Sequence, residues 1–100
     1  MEQNQIKDDV VRKESFDRPK KYKVIFHNDD FTTMEFVVEV LKTVFYKSEA
    51  EAGVIMMKVH HEGQAEVGTY SYDVAMTKIE LTKSMARAEG FPLRLSCVQV

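Results

Sequence analysis

Apolar and polar residues alternate where the foldable part of the chain begins. In "YKVIFH", Tyr22, Val24 and Phe26 fall on one face and Lys23, Ile25 and His27 on the other. Period two is the signature of a half-buried strand. The period then changes. Met34, Val37, Val40/Leu41 and Val44/Phe45 recur every three to four residues, which predicts a helix from Met34 to Tyr46 with one apolar stripe. Thr32-Thr33-Met34-Glu35 marks its start. The Thr32 hydroxyl can accept from the Glu35 amide while the Glu35 carboxylate reaches back, a capping box. Ser48-Glu49-Ala50-Glu51 repeats the device and opens a second helix through "AGVIMMKVHH". Gly63 is placed to stop that helix with a left-handed cap. "QAEVGTY" predicts a short second strand. Ser71 and Asp73 open a third helix, with Ala75, Ile79, Thr82 and Ala86 on one stripe and Val74, Leu81 and Met85 beside it; Gly90 and Pro92 end it. "LRLSCVQV" alternates again as a third strand. The predicted order is β-α-α-β-α-β. It makes an α+β domain of two layers, a three-stranded antiparallel sheet covered on one face by three helices.

Length and composition narrow this further. One hundred residues make a single domain the expectation. Residues 1–18 are polar, mixed in charge and poor in aromatics, and are expected to be a mobile arm. Pro19 opens the core domain, residues 19–100. The apolar fraction of 44% supports a folded globule over a disordered chain. Fourteen basic against sixteen acidic residues give a net charge of −2, without the clustered basic face of a nucleic-acid binder. Lys20, Lys21 and Lys23 read as the solvated start of a strand. Cys97, the single cysteine, excludes an internal disulfide and a Cys-based zinc cluster; it sits on the apolar stripe of Leu93 and Leu95 as a core residue. Nothing resembles a signal peptide, and no run approaches the ~18 apolar residues of a membrane span. A soluble cytoplasmic protein is expected, without membrane association.

The chemistry gathers at "HNDDFTTMEF". Asn28, Asp29 and Asp30 stand together between a strand and a helix. They can form a turn that complements the helix dipole, hold a metal, serve as a catalytic pair, or receive a positive charge. Spacing excludes a calcium loop: counting from Asp29, the sixth position is Met34 and the twelfth Val40, not Gly and Glu. His60 and His61 are adjacent and diverge on a helix, and HExxH is absent, so no zinc set converges. Cys97 with His60 lacks a third orienting group, and the four glycines are isolated, so neither a nucleophile nor a phosphate loop is formed. No metal, cofactor or enzymatic activity is expected. His60 suits a helix C-terminus by its charge, with His61 facing water. Met56, Met57 and Val59 before it are either core or the adaptable wall of a pocket.

"YKVIFHNDDFTTMEFVVEVL", "MMKVHHEGQAEVG", "DVAMTK" and "FPLRLS" together resemble the ClpS family, across nearly all of residues 20–100 and in order. These are bacterial and plastid adaptors that deliver N-degron substrates to an AAA+ Clp protease. The resemblance implies a domain shared with ribosomal stalk proteins, usually monomeric. It implies that Asn28, Asp29 or Asp30, and His60 contact the α-amine of a substrate, with Thr32 supporting that corner. It implies that Met34, Val37, Met56, Val59 and Leu93 wall a cavity for the first side chain, Leu, Phe, Tyr or Trp, with Met34 as gatekeeper against β-branched residues. It further implies docking to the N-terminal domain of a ClpA- or ClpC-type unfoldase through Asp73 and Lys78, with Glu35 a weaker candidate, and handover by the arm. A domain of the same fold that binds another protein surface, without N-degron recognition, is the competing reading. Two positions depart from the family pattern. Thr33 replaces a common proline, which predicts a looser helix start and the same pocket. His27 replaces an aliphatic residue and either lies on the strand surface or makes binding pH-sensitive.

An α-amine, with a reference pKa of about 7.7–8, is largely cationic at neutral pH. It offers up to three donors, matched by an amide oxygen, a carboxylate and an imidazole nitrogen in its neutral form.

Overall fold

The computed structural model describes residues 19–100. The arm expected at residues 1–18 lies outside the described residues. The chain runs β1 (Lys21–His27), α1 (Met34–Thr43), α2 (Glu49–Glu62), β2 (Gln64–Ser71), α3 (Tyr72–Glu89) and β3 (Arg94–Gln99). All three strands share one antiparallel sheet in the order β2-β1-β3. The α+β order and the three helices expected from the hydrophobic pattern are therefore present.

β1 lies between the other two strands, with its inward residues packed on the core. Val24 and Phe26 are fully buried, beneath Val40 and Leu41 of α1, Ala52 and Val59 of α2, and Ala75, Ile79 and Ala86 of α3. The opposite face carries Lys23, Ile25 and His27, half-buried, with Lys23 paired to Glu66 at 3.1 Å. Alternation breaks once. Val24 pairs with Gly68 and Ile25 with Glu66, so Val67 is an extra residue. The bulge keeps Val67 in the core. A β-carbon at Gly68 would stand 2.5 Å from the Tyr70 hydroxyl, so a larger residue there would have to displace the Tyr70 ring.

The caps of α2 follow the sequence. Ser48 and Glu51 form the complete reciprocal box, and Gly63 closes the helix at φ 90°. Those of α1 do not. Thr33, not Thr32, is the N-cap, accepting from the Phe36 amide at 3.1 Å. Thr32 is drawn away because the Asp29 carboxylate captures its amide and its hydroxyl. Thr33 thus supplies a side-chain cap where the family pattern has proline. α1 also stops at Thr43 rather than Tyr46. Tyr46 takes a left-handed φ of 56°, and the Lys78 ammonium from α3 occupies the carbonyl of Val44 at 2.7 Å.

Along α3 the expected stripe of Ala75, Ile79, Thr82 and Ala86 is buried, whereas Val74 and Leu81 are exposed. Thr82, wholly buried, satisfies its hydroxyl by donating to the Lys78 carbonyl. Ser71 holds the N-cap position of α3 but its side chain makes no capping bond. Cys97 pairs with Val24 across the sheet and packs half-buried on the core.

Candidate functional site: a notch between the end of the first strand and two helices

The site is built where β1 ends. Its last inward residue, Phe26, is locked in the core, so the chain must turn out at Asn28. The Asn28 amide donates to the Gly63 carbonyl at 2.9 Å. That bond ties the loop after β1 to the C-terminal end of α2, and it brings Asn28 and His60 to one place.

Asp29 shapes the loop that follows. One carboxylate oxygen accepts from the amides of Phe31 (2.8 Å) and Thr32 (2.7 Å), and the other accepts the Thr32 hydroxyl (2.7 Å). This is an Asx turn with a side-chain clasp. Partial burial on its own would push the Asp29 carboxyl up. The Thr32 amide and hydroxyl and the Phe31 amide outweigh it, with Arg94 adding attraction, and the net shift is below the ordinary 3.8. Stabilisation from a depressed carboxyl is therefore present above that ordinary value and is lost as pH falls through the lowered folded value. Asp29→Ala removes all three hydrogen bonds and is expected to cost about 1–2 kcal/mol of stability. In urea midpoints of the two proteins, the deficit should hold from pH 7 down to the ordinary value of 3.8 and shrink below it.

A cavity of about 440 Å³ opens against this loop. Asn28, Asp29, Asp30, Thr32 and His60 line it, together with Met34, Val37, Met56 and Val59. One wall is polar and acceptor-rich. The other is thioether and aliphatic, with Val37 and Val59 buried at its base and Met34 41% exposed at its rim. Nine of the ten residues expected at the two halves of the pocket are thus brought together. The tenth, Leu93, is buried in the core and is not part of the lining. Phe31, Thr33 and Glu35 also line the cavity. Phe31 was not singled out by sequence; an aromatic inside a run of turn residues is the signal that could have marked it.

The two histidines lie side by side at the end of α2, both exposed. Their rings meet edge-on at 5.1 Å, yet only His60 lines the cavity. His27 is not part of the lining. Its Nε2 meets the Ser96 hydroxyl on the far face of the sheet, which favours the strand-surface reading over a pH-sensitive pocket. A second hollow of about 520 Å³, lined by Ile25, Lys58, Glu62 and Glu66, lies beside the Gly63–Gln64 link and mixes both charges. No group of three or more His, Cys, Asp or Glu is arranged to hold a metal ion among the described residues. No described helix is long and apolar enough to cross a membrane.

On α3, Asp73 and Lys78 share a small groove with Val74 and Thr77. Glu35 is not part of it; it stands at the mouth of the larger cavity. Lys78 is occupied within the fold. Besides the Val44 carbonyl, its ammonium lies 4.6 Å from the Tyr46 ring centroid, 5.5 Å from Tyr70 and 5.7 Å from Phe45. Lys78→Ala is expected to lower stability by about 1–3 kcal/mol, from one charge-assisted bond and the aromatic contacts. Thermal denaturation should show this in the isolated protein, before any partner is added.

The sequence profile described as the ATP-dependent Clp protease adaptor protein ClpS matches residues 17–96. The ClpS protein of Acetivibrio thermocellus is 53% identical over 87 residues, covering 84% of this chain and 88% of the relative. That of Nautilia profundicola is 57% identical over 76 residues, covering 76% and 78%. Among solved structures, Agrobacterium tumefaciens ClpS2 bound to L-phenylalaninamide superposes with a TM-score of 0.80 at 41% identity, over 83% of this chain and 100% of that one. Fold order, profile and relatives agree: the chain belongs to the ClpS family, adaptors of the ATP-dependent Clp protease rather than enzymes.

Proposed function

We propose that the cavity captures the N-terminus of a protein whose first residue is bulky and apolar (Leu, Phe, Tyr or Trp), and that the adaptor hands that protein to a Clp unfoldase. The observation that carries this reading is the shared lining: Asn28, Asp30 and His60 beside Met34, Val37, Met56 and Val59 in one cavity. The polar wall suits an ammonium and the apolar wall its neighbouring side chain. L-phenylalaninamide, bound by the similar Agrobacterium protein, is a free α-amine joined to a benzyl group.

The two acids divide the work. Asp29 has both oxygens committed to the loop, so it positions the corner. Asp30 is exposed and keeps its carboxylate for the guest. Asn28 and His60 supply the remaining acceptors. Each charge-assisted contact is worth roughly 1.5–3 kcal/mol, and burying one large apolar side chain adds roughly 1.5–3 kcal/mol. The two halves together reach the ~8 kcal/mol of micromolar binding, with backbone contacts to the next residue.

Asp73, with the groove it shares with Lys78, is the proposed contact for the N-terminal domain of a ClpA- or ClpC-type unfoldase. Lys78 contributes there with its donors already partly used. The test is a titration of the full chain with a labelled Phe-initiated peptide, its N-acetylated copy and an Ala-initiated copy. Selective binding of the first, stoichiometric and without cleavage, supports the reading. Equal binding of all three moves the function to another surface of the domain.

A further inference from the structure

Two large apolar side chains on the cavity wall are exposed, Met34 at 41% and Phe31 at 73%. Met34 belongs to the compartment for the first side chain. Phe31 lines the same cavity but has no part in the capture of the first residue as proposed above. Its ring is no part of the core, and it joins no aromatic pair among the described residues. Yet its backbone is fixed, because the Asp29 carboxylate holds the amide of Phe31 at 2.8 Å and that of Thr32 at 2.7 Å. A bare aromatic on an anchored loop beside a cavity is a prepared contact surface.

We propose that Phe31 reads the second residue of the captured chain and favours an apolar side chain there; this rests on the terminus-binding reading above. Spacing supports the assignment. Consecutive residues stand about 3.8 Å apart in the loop and in the guest alike. If Asp30 receives the α-amine of residue one, Phe31, its neighbour in the same lining, stands within reach of residue two. Asp30 and Glu35 flank the same rim. They would attract a cationic second residue whether or not Phe31 were present, so dependence on the ring marks the apolar preference.

The test compares two amidated peptides that differ only at position two, Phe-Leu- and Phe-Gly-, bound to the full chain by calorimetry. Wild type should favour Phe-Leu about three- to tenfold, as expected from burying part of a leucine side chain against an aromatic ring. Phe31→Ala should bring that ratio close to one, and Phe31→Tyr should restore it. A ratio unchanged in Phe31→Ala overturns the proposal. So does a wild-type ratio near one, which leaves the terminus-binding reading standing. A wild type that binds neither these peptides nor L-phenylalaninamide overturns both.

Discussion

Acetylating the first residue of a Phe-initiated peptide is expected to weaken its binding at least about a hundredfold. The modification removes the positive charge, leaves one donor where there were three, and places a carbonyl and a methyl against acceptors. Removing two charge-assisted hydrogen bonds, at about 1.5–3 kcal/mol each, costs about 3–6 kcal/mol, and about 1.4 kcal/mol is tenfold. The benzyl group is untouched, so the apolar wall is unaffected and the whole change falls on Asn28, Asp30 and His60. His60→Ala provides the matching protein-side change. It should weaken the free-amine peptide and leave the acetylated one nearly where it was, a coupling that a double-mutant cycle isolates. His61→Ala, next door but outside the lining, is the control. An acetylated peptide that binds within about threefold of the free one would remove the charge-recognition reading altogether.

Phe26→Ala carries the largest expected effect on stability, about 3–5 kcal/mol. Phe26 is fully buried on the central strand, pairs with Ala65 and Leu95 on either side, and meets Phe45 edge-on at 5.5 Å between ring centroids. Truncation leaves a void under three strands and the end of α1, which the paired strands cannot refill. Small domains hold about 5–15 kcal/mol in all, so the variant retains only part of its margin. The chain has no tryptophan, so far-UV circular dichroism in urea is the suitable measurement. Phe26→Leu should recover more than half of the loss. A Phe26→Ala midpoint equal to the parent's would mean that the core is not organised around this residue.

The fold was legible where its signals are local. Ser48 with Glu51, and Gly63 beyond α2, act over three or four residues and are written in order. The alternation of β1 and the stripe of α3 marked the buried faces directly. Choices made by long-range partners were not legible. Thr32 and Thr33 are equally good caps by type, and the Asp29 carboxylate decides between them. α1 ends early where Tyr46 turns left-handed and a lysine thirty-four positions beyond Val44 holds the Val44 carbonyl. Likewise Leu93 has the composition of a pocket wall and the position of a core residue. Within the site, the family pattern named residues that the structure brings to one cavity, but not how they differ from one another. The hydrogen bonds separate Asp29, committed to the loop, from the exposed Asp30 beside it.

The bond from the Asn28 amide to the Gly63 carbonyl has a temporal meaning. Residues 28–30 leave the ribosome before His60 and Gly63 do, so the cavity they share with His60 can be assembled only after α2 and its glycine cap have been made.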